Sequence, residues 1–461
     1  MDWMARKPDF RASGARCPWV ARAVACVGLG LAALMGGCGN DETQYGDVLP
    51  RVATFDGTSW TVEARDGDRF STMNSIFGGR PGLNPVALTD EGGVITFGQW
   101  TGSDWEEERV GEIEGASENQ QMYSGVMSVD EQGHPFALFV TTGWKLYFAG
   151  RPADQWIFQE LSDREITCFD MDIGEDGLVR LLTADPRNSR TLVTTVHDDG
   201  TMEDLVIHDS AALCGRMSTK LVTIDENSEA DASGDGSDGS RDGEGEASAG
   251  TTLGVVLLDV NTENYTSGVV TFYELPAGAA EYSIVELTND ARYECEYCDL
   301  PELVYRGDGR AVVSYITSAP AGVLATQQED GTFDSYALTN GYQSFQWTRI
   351  KPGLDESAAL LIVLDQETVA LAVSYGNGYS YNAVASGSYA TSPRLVWDGT
   401  RSAGAFWASD GLWGLVPSDG GGYSASLIDS KADLGYYLGS FVSIGADDHL
   451  QVFYNEWHEV E

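Results

Sequence analysis

Cys168, Cys214, Cys295 and Cys298 are the residues whose type and spacing point most directly to chemistry. Such thiols can cross-link, hold zinc or exchange disulfides. Cys295-Glu296-Tyr297-Cys298 has the Cys-x-x-Cys spacing of a redox centre or half a zinc site. Glu294, Glu296 and Asp299 beside it would raise the thiol pKa values, which opposes a reactive thiolate. The sequence has no second Cys-x-x-Cys and no nearby pair of histidines to complete a zinc site. Structural disulfides are the expected use, and four cysteines allow three pairings.

Other residue groups say less. His134, His197, His208, His449 and His458 fall mostly at expected turns or strand ends. His-Glu-x-x-His, Gly-x-Ser-x-Gly and a phosphate-cradling glycine loop are all missing. Asp231, Asp235, Asp238 and Asp242 recur every three or four residues and suggest calcium, but without the EF-hand spacing or the Gly-Gly-x-Gly-x-Asp repeat. No cofactor is expected, with calcium the one alternative. Trp100, Trp144, Trp347, Trp397, Trp407 and Trp413 could stack on sugars, though packing between repeats would also consume aromatics.

These residues sit in a chain with little helical periodicity after residue 50. Short β-rich runs alternate with Gly, Asp, Asn and Ser, the pattern of many antiparallel strands. One signature recurs, a Gly/Asp turn followed by a large residue that opens a strand. Asp56-Gly57-Thr58-Ser59-Trp60, Asp199-Gly200-Thr201-Met202 and Asp330-Gly331-Thr332-Phe333 are examples. The large residues fall at 60, 105, 156, 202, 282, 333, 379 and 423, at intervals of 45, 51, 46, 80, 51, 46 and 44. A second turn lies 21 to 25 residues upstream of most of them, as in Asp130-Glu131-Gln132-Gly133. Each unit then reads as four strands, A to D, the length of a propeller blade. In the second unit the strands are expected at about 125–129, 135–140, 144–149 and 156–161.

The two ends complement each other. Val52–Phe55 and Trp60–Glu63 form a C–D hairpin with no A or B strand before it. Phe441–Ile444 and Leu450–Tyr454 form an A–B hairpin with nothing after it. Joined, they make one blade and remove the open edges of the array. The expected fold is all-β, a single propeller of eight four-stranded blades over 51–461. Seven blades or two β-sandwich domains are the alternatives. The long interval holds 227–250, rich in Ser, Gly, Asp and Glu, which reads as a disordered insertion in the A–B turn of blade four. All four cysteines are expected in D-to-A connections of blades three to five. Cys168 and Cys214 precede neighbouring inner strands and can meet, and Cys295 would then close on Cys298.

The N-terminus carries Arg6, Lys7, Arg11, Arg16 and Arg22 and then an apolar run, Ala23 to Met35, too short to span a bilayer. Residues 1–37 thus read as an export signal. Leu34-Met35-Gly36-Gly37-Cys38 resembles the bacterial lipobox, with Met35 in the place where that motif usually has Leu. The resemblance implies that Cys38 is acylated and becomes the mature N-terminus. Residues 38–50 would be a tether to a bacterial membrane, most plausibly the outer membrane or cell surface. Without residues 1–37 the chain has 22 basic and 69 acidic side chains, a net charge of −47. That field repels phosphates and excludes nucleic acid as a partner.

The repeats resemble the propellers built of sialidase and BNR-type repeats, over roughly residues 50 to 460, in unit length and turn chemistry. Their Asp-box, Ser-x-Asp-x-Gly-x-Thr-Trp, is absent from every unit, and no residues match the sialidase arginine triad or Tyr/Glu pair. Sialidase activity therefore does not carry over. The leading expectation is a monomeric, non-catalytic binding or scaffolding module of the cell envelope, with a protein or glycan ligand. The alternatives are a glycan-acting hydrolase of sialidase-like architecture and a structural subunit of an envelope complex. The D–A connections, with the segments 111–124, 288–300 and 429–440, form the expected recognition face.

Overall fold

Strand pairing follows the turn chemistry closely. The computed structural model describes residues 47–458 except for connecting segments, among them 66–69, 71–74, 114–120, 225–247, 293–300, 338–344 and 431–439. Seven four-stranded antiparallel sheets succeed one another along the chain, spanning 75–112, 122–162, 168–208, 214–292, 302–337, 345–386 and 391–429. They are referred to below as blades one to seven. A further four-stranded sheet, the closing blade, is built from both ends of the chain. Its strands lie in the order Trp60–Ala64, Asp47–Phe55, Leu450–His458, Phe441–Ile444. The fold is a single all-β propeller with four-stranded blades.

Within each blade, position in the sheet dictates composition. Middle strands are covered on both faces and read as unbroken runs, such as Pro135–Thr141 and Ser402–Ala408, buried at every residue. Outer strands are exposed over much of their length and carry charge. Trp105–Glu112 is WEEERVGE with four consecutive exposed residues, and Met202–His208 repeats the pattern. Acidic side chains along these unpaired edges keep one copy from pairing with another. Much of the negative charge therefore has a place in the architecture.

In several blades the large residue at the start of the D strand packs against the preceding blade. The Trp60 indole presses on Gly414 of blade seven and donates its Nε1–H to Ser426 Oγ at 2.9 Å. Trp105 lies among Phe70, Phe77 and Phe453, with ring centroids 4.7, 6.0 and 5.7 Å away. Trp156 meets Phe97 at 5.2 Å, and Phe333 meets Phe272 at 5.2 Å. The recurrent aromatic is thus a staple between blades, the use expected to compete with sugar binding. Trp100 and Trp407 are consumed in the same way, at 1% and 3% exposure.

The turns explain their own residues. Asp56, Asp199 and Asp330 each accept hydrogen bonds from the backbone N–H and hydroxyl of the Thr two positions on. The intervening Gly57, Gly200 and Gly331 have φ of +96°, +79° and +81°, a region that Gly enters without strain.

Three boundaries differ from expectation. The first strand begins at Asp47 rather than Arg51, because Leu450–His458 continues far enough to pair Asp47 with His458. Of the insertion expected over 227–250 in blade four, residues 248–250 belong to a strand, and the rest lies outside the described residues. Its flanking strands run Cys214–Ile224 and Ser248–Val260 and pair Ile224 with Ser248, since a backbone ladder needs no apolar side chains to continue. Asp231, Asp235, Asp238 and Asp242 lie outside the described residues. Trp144, expected to open a strand, stands in the B–C turn before Leu146–Gly150, with φ of +63°.

Candidate functional site

The densest group of buried charge lies where the inner strands of blades three, four and five meet. The inner strand of blade three, Cys168–Ile173, turns residues 169, 171 and 173 to the apolar contact with blade two. Its other face meets blade four. Asp170 Oδ2 accepts Met217 N–H at 2.9 Å, and Asp172 Oδ2 accepts Thr219 N–H at 2.7 Å and the Thr219 hydroxyl at 2.6 Å. Cys168, on the same face, meets the backbone N–H of Gly215. Each partner lies 47 positions further along, so one strand's side chains satisfy the next strand's backbone where no sheet ladder can form. Arg216 continues the network, its Nη1 3.8 Å from Asp170 Oδ1 and its Nε 3.7 Å from Glu302 Oε1 of blade five.

Burial decides the electrostatics here. It pushes the Asp170 carboxyl up to about 6 despite Arg216 and the Met217 N–H, and it raises Asp172 as well. A carboxyl near 6 has the range of a general acid or base. Both carboxylates, however, are held by backbone donors of the adjoining blade. Their geometry joins blade three to blade four.

A second constellation escapes a reading of the sequence because its members are far apart in the chain. His208 ends the outer strand of blade three. Its Nε2 lies 3.0 Å from Asp259 Oδ2, and its Nδ1 2.8 Å from the Tyr273 hydroxyl, both in blade four. A neutral ring satisfies both contacts, with Nε2–H donating to Asp259 and Nδ1 accepting from Tyr273. This has the connectivity of a hydroxyl–imidazole–carboxylate triad. Tyr273 is 4% exposed, and burial pushes its hydroxyl up to about 12. Such a phenol is a poor nucleophile, and the array works as a clasp between blades.

The sequence-predicted thiols fall as follows. Cys168 and Cys214 are the first residues of adjacent inner strands rather than members of the connections, and both lie buried in one apolar cluster. The structure does not join them to one another. Cys168 is a thiol that burial pushes up to about 12, against the opposing charge of Arg216. Cys38, Cys295 and Cys298 lie outside the described residues, as do 114–120, 293–300 and 431–439 of the expected recognition face. Among the described residues, no group of three His, Cys, Asp or Glu is placed to hold a metal ion. A recess at the seam between the closing blade and blade one, lined by Arg51, Arg65, Phe70, Phe77 and Trp105, has a volume of about 10 Å³. That holds a single water at most.

What the face with the D–A connections and B–C turns does offer is an aromatic pair in blade two. Tyr123 and Trp144 have ring centroids 6.1 Å apart at an interplanar angle of 61°, and both are half-buried. Trp413, by contrast, stacks on Phe406 at 6.4 Å and donates its Nε1–H to Asp410 at 2.8 Å.

No protein-family model matches the chain, and no curated protein matches it. Solved structures do. A fungal lectin from Aleuria aurantia, a six-bladed β-propeller with fucose recognition, is 11% identical, with 67% of this chain and 95% of that one covered and a TM-score of 0.36. AofleA from Arthrobotrys oligospora is 7% identical over 69% of this chain and 88% of its own, with a TM-score of 0.35. BBS1N, solved in complex with ARL6DN, is 11% identical over 80% and 95%, with a TM-score of 0.38. At such values the likeness carries no argument about this chain, whose propeller fold rests on its own strand pairing.

Proposed function

We propose that the chain is a lipid-anchored lipoprotein of a bacterial cell envelope whose propeller serves as a non-catalytic binding or scaffolding module. The observation that carries the non-catalytic reading is the use made of the buried acids. Asp170 and Asp172 are bonded to the backbone of the next blade, and the His208–Asp259–Tyr273 array is closed by a hydroxyl near 12. The acid–base groups inside the ring are occupied in holding it together. Loops on a rigid support are then what remains for recognition.

The finer architecture belongs to the same reading. A ring of eight blades is supported by the seven successive sheets and the shared one, and by Phe77 of blade one stacking on Phe441 of the closing blade at 5.7 Å. The lipobox resemblance supports acylation of Cys38. From there nine residues reach Asp47, a span of at most ~30 Å. Asp47 enters its blade on the face of the B–C turns and D–A connections, so that face would be turned toward the membrane. Cys295–Cys298 would close as a local disulfide, and the protein would act as a monomer.

Metabolic labelling with an alkyne fatty acid, followed by fractionation, tests the anchor. Wild-type protein should carry label and sediment with membranes, and Cys38→Ser should lose the label and become soluble. A Cys38→Ser protein that stays membrane-bound would remove the anchor from this reading. Turnover of any glycan by the purified chain, abolished by a substitution among Asp170, Asp172, His208 or Asp259 that leaves the fold intact, would overturn the non-catalytic part.

A further inference from the structure

Seven turns among the described residues share one backbone pattern: the fourth residue donates to the carbonyl of the first, whose N–H in turn bonds the fifth. They close at Gly133, Gly177, Gly200, Gly309, Gly331, Asp448 and Trp144. The closing residue always has positive φ, +77° to +85° in the five glycines, +65° in Asp448 and +63° in Trp144. Gly is free there and Asp tolerates it, but a bulky aromatic side chain is strained. The chain even has a glycine next door, Gly143, one place too early to relieve the turn.

Opposite this turn a second irregularity involves another aromatic. The first two strands of blade two pair Met122 with Thr141 and then Ser124 with Val140, so Tyr123 is the extra residue of a β-bulge. Bulges re-aim side chains, and here the bulge brings Tyr123 edge-on to Trp144. The two loops are also tied together. Thr142 N–H donates to Gln121 C=O at 2.8 Å, and Gln121 N–H donates to Thr142 Oγ1 at 3.1 Å. The pair is therefore pre-oriented by distortions in both strands, and observed strain of this kind points to a function.

We infer that Tyr123 and Trp144 form a stacking site for a neutral saccharide. This rests on the binding-module reading and specifies its ligand. The rings supply stacking area for the C–H face of a sugar at low entropic cost. Exposed Gln121 beside them carries a side-chain amide suited to sugar hydroxyls. The neighbouring Lys145 is held by Glu160 at 2.9 Å, and the surrounding charge is strongly negative, so an anionic ligand is disfavoured. Flanks this polar do not suit a wholly apolar ligand.

The test is retention of the full chain, in detergent, on immobilised neutral β-glucan, mannan, galactan and fucosylated oligosaccharides. Wild type should bind at least one of them, and Trp144→Gly and Tyr123→Ala should each weaken that binding about tenfold or more. Trp144→Gly should melt at or above the wild-type temperature, because Gly suits the turn, so lost binding would not report unfolding. Trp413→Phe should bind as wild type does. Unchanged retention of Trp144→Gly, or no retention of wild type on any of the four, overturns the site. If the site fails while the chain still cross-links to envelope components independently of Trp144, the module reading stands. If the cross-links also vanish, both fall.

Discussion

Arg51 Nε lies 2.7 Å from Glu456 Oε2, a contact between residues 405 positions apart in sequence, inside the sheet that both chain ends build. Their side chains are only 10% and 8% exposed. Removing Glu456 takes from the buried Arg51 guanidinium the carboxylate it pairs with, and Glu456→Ala should destabilise the protein by ~3–5 kcal/mol. Replacing both by apolar residues of similar size should recover most of that loss. Urea unfolding of the single and double variants checks it, and a single variant as stable as wild type would show that the pair does not matter to closure.

The staple role of Trp60 makes a prediction for the residue beneath it. A methyl group on Gly414 would collide with the indole ring. Gly414→Ala should therefore cost about 1–3 kcal/mol through overpacking. Val62→Ser, on the exposed face of the same outer strand, should shift the melting temperature little.

Asp170 gives a pH dependence with a defined sign. Its carboxyl sits near 6 in the folded protein, above the unfolded value of about 3.9. The folded state therefore holds the proton more tightly, and this site adds stability as pH falls from about 6 toward 4 and loses it as pH rises through 6. Exposed Asp56, Asp199 and Asp330, held low by their Thr hydroxyl and backbone N–H partners, act in the opposite sense. The difference between wild type and Asp170→Asn across pH 4.5–7.5 isolates the term. A flat difference would mean that Asp170 is not desolvated.

Burial likewise governs Cys168, whose thiol lies near 12. Alkylation by iodoacetamide at pH 8 should spare it in the native protein and modify it once denaturant is added. Peptide mapping reads the result, and rapid native labelling would show that the contact between blades three and four opens.

Much of the architecture was legible in the sequence because local chemistry fixes it. Asp-Gly-Thr can close a tight turn in only a few ways, and a large residue after each such turn sets the repeat. The complementary hairpins at the two ends predicted their pairing. What was illegible is the matching of one blade to the next. Asp170 meets Met217 and His208 meets Asp259 and Tyr273 only after the sheets are stacked, and no spacing rule announces those partners. Trp144 misled for a different reason. Thr-Gly-Trp reads as a turn ending at glycine, whereas the ladder register puts the tryptophan in the left-handed place.

The closing blade also sets an order of events in time. The strand Asp47–Phe55 is synthesised long before its inner neighbour Leu450–His458. Until that segment arrives, one long edge of the first hairpin has nothing to pair with, and the ring stays open. Closure of the ring thus waits for that segment, and contacts this distant in sequence form slowly. The sheet that joins the two hairpins is therefore the latch of the ring, and it cannot lock before Leu450–His458 is in place.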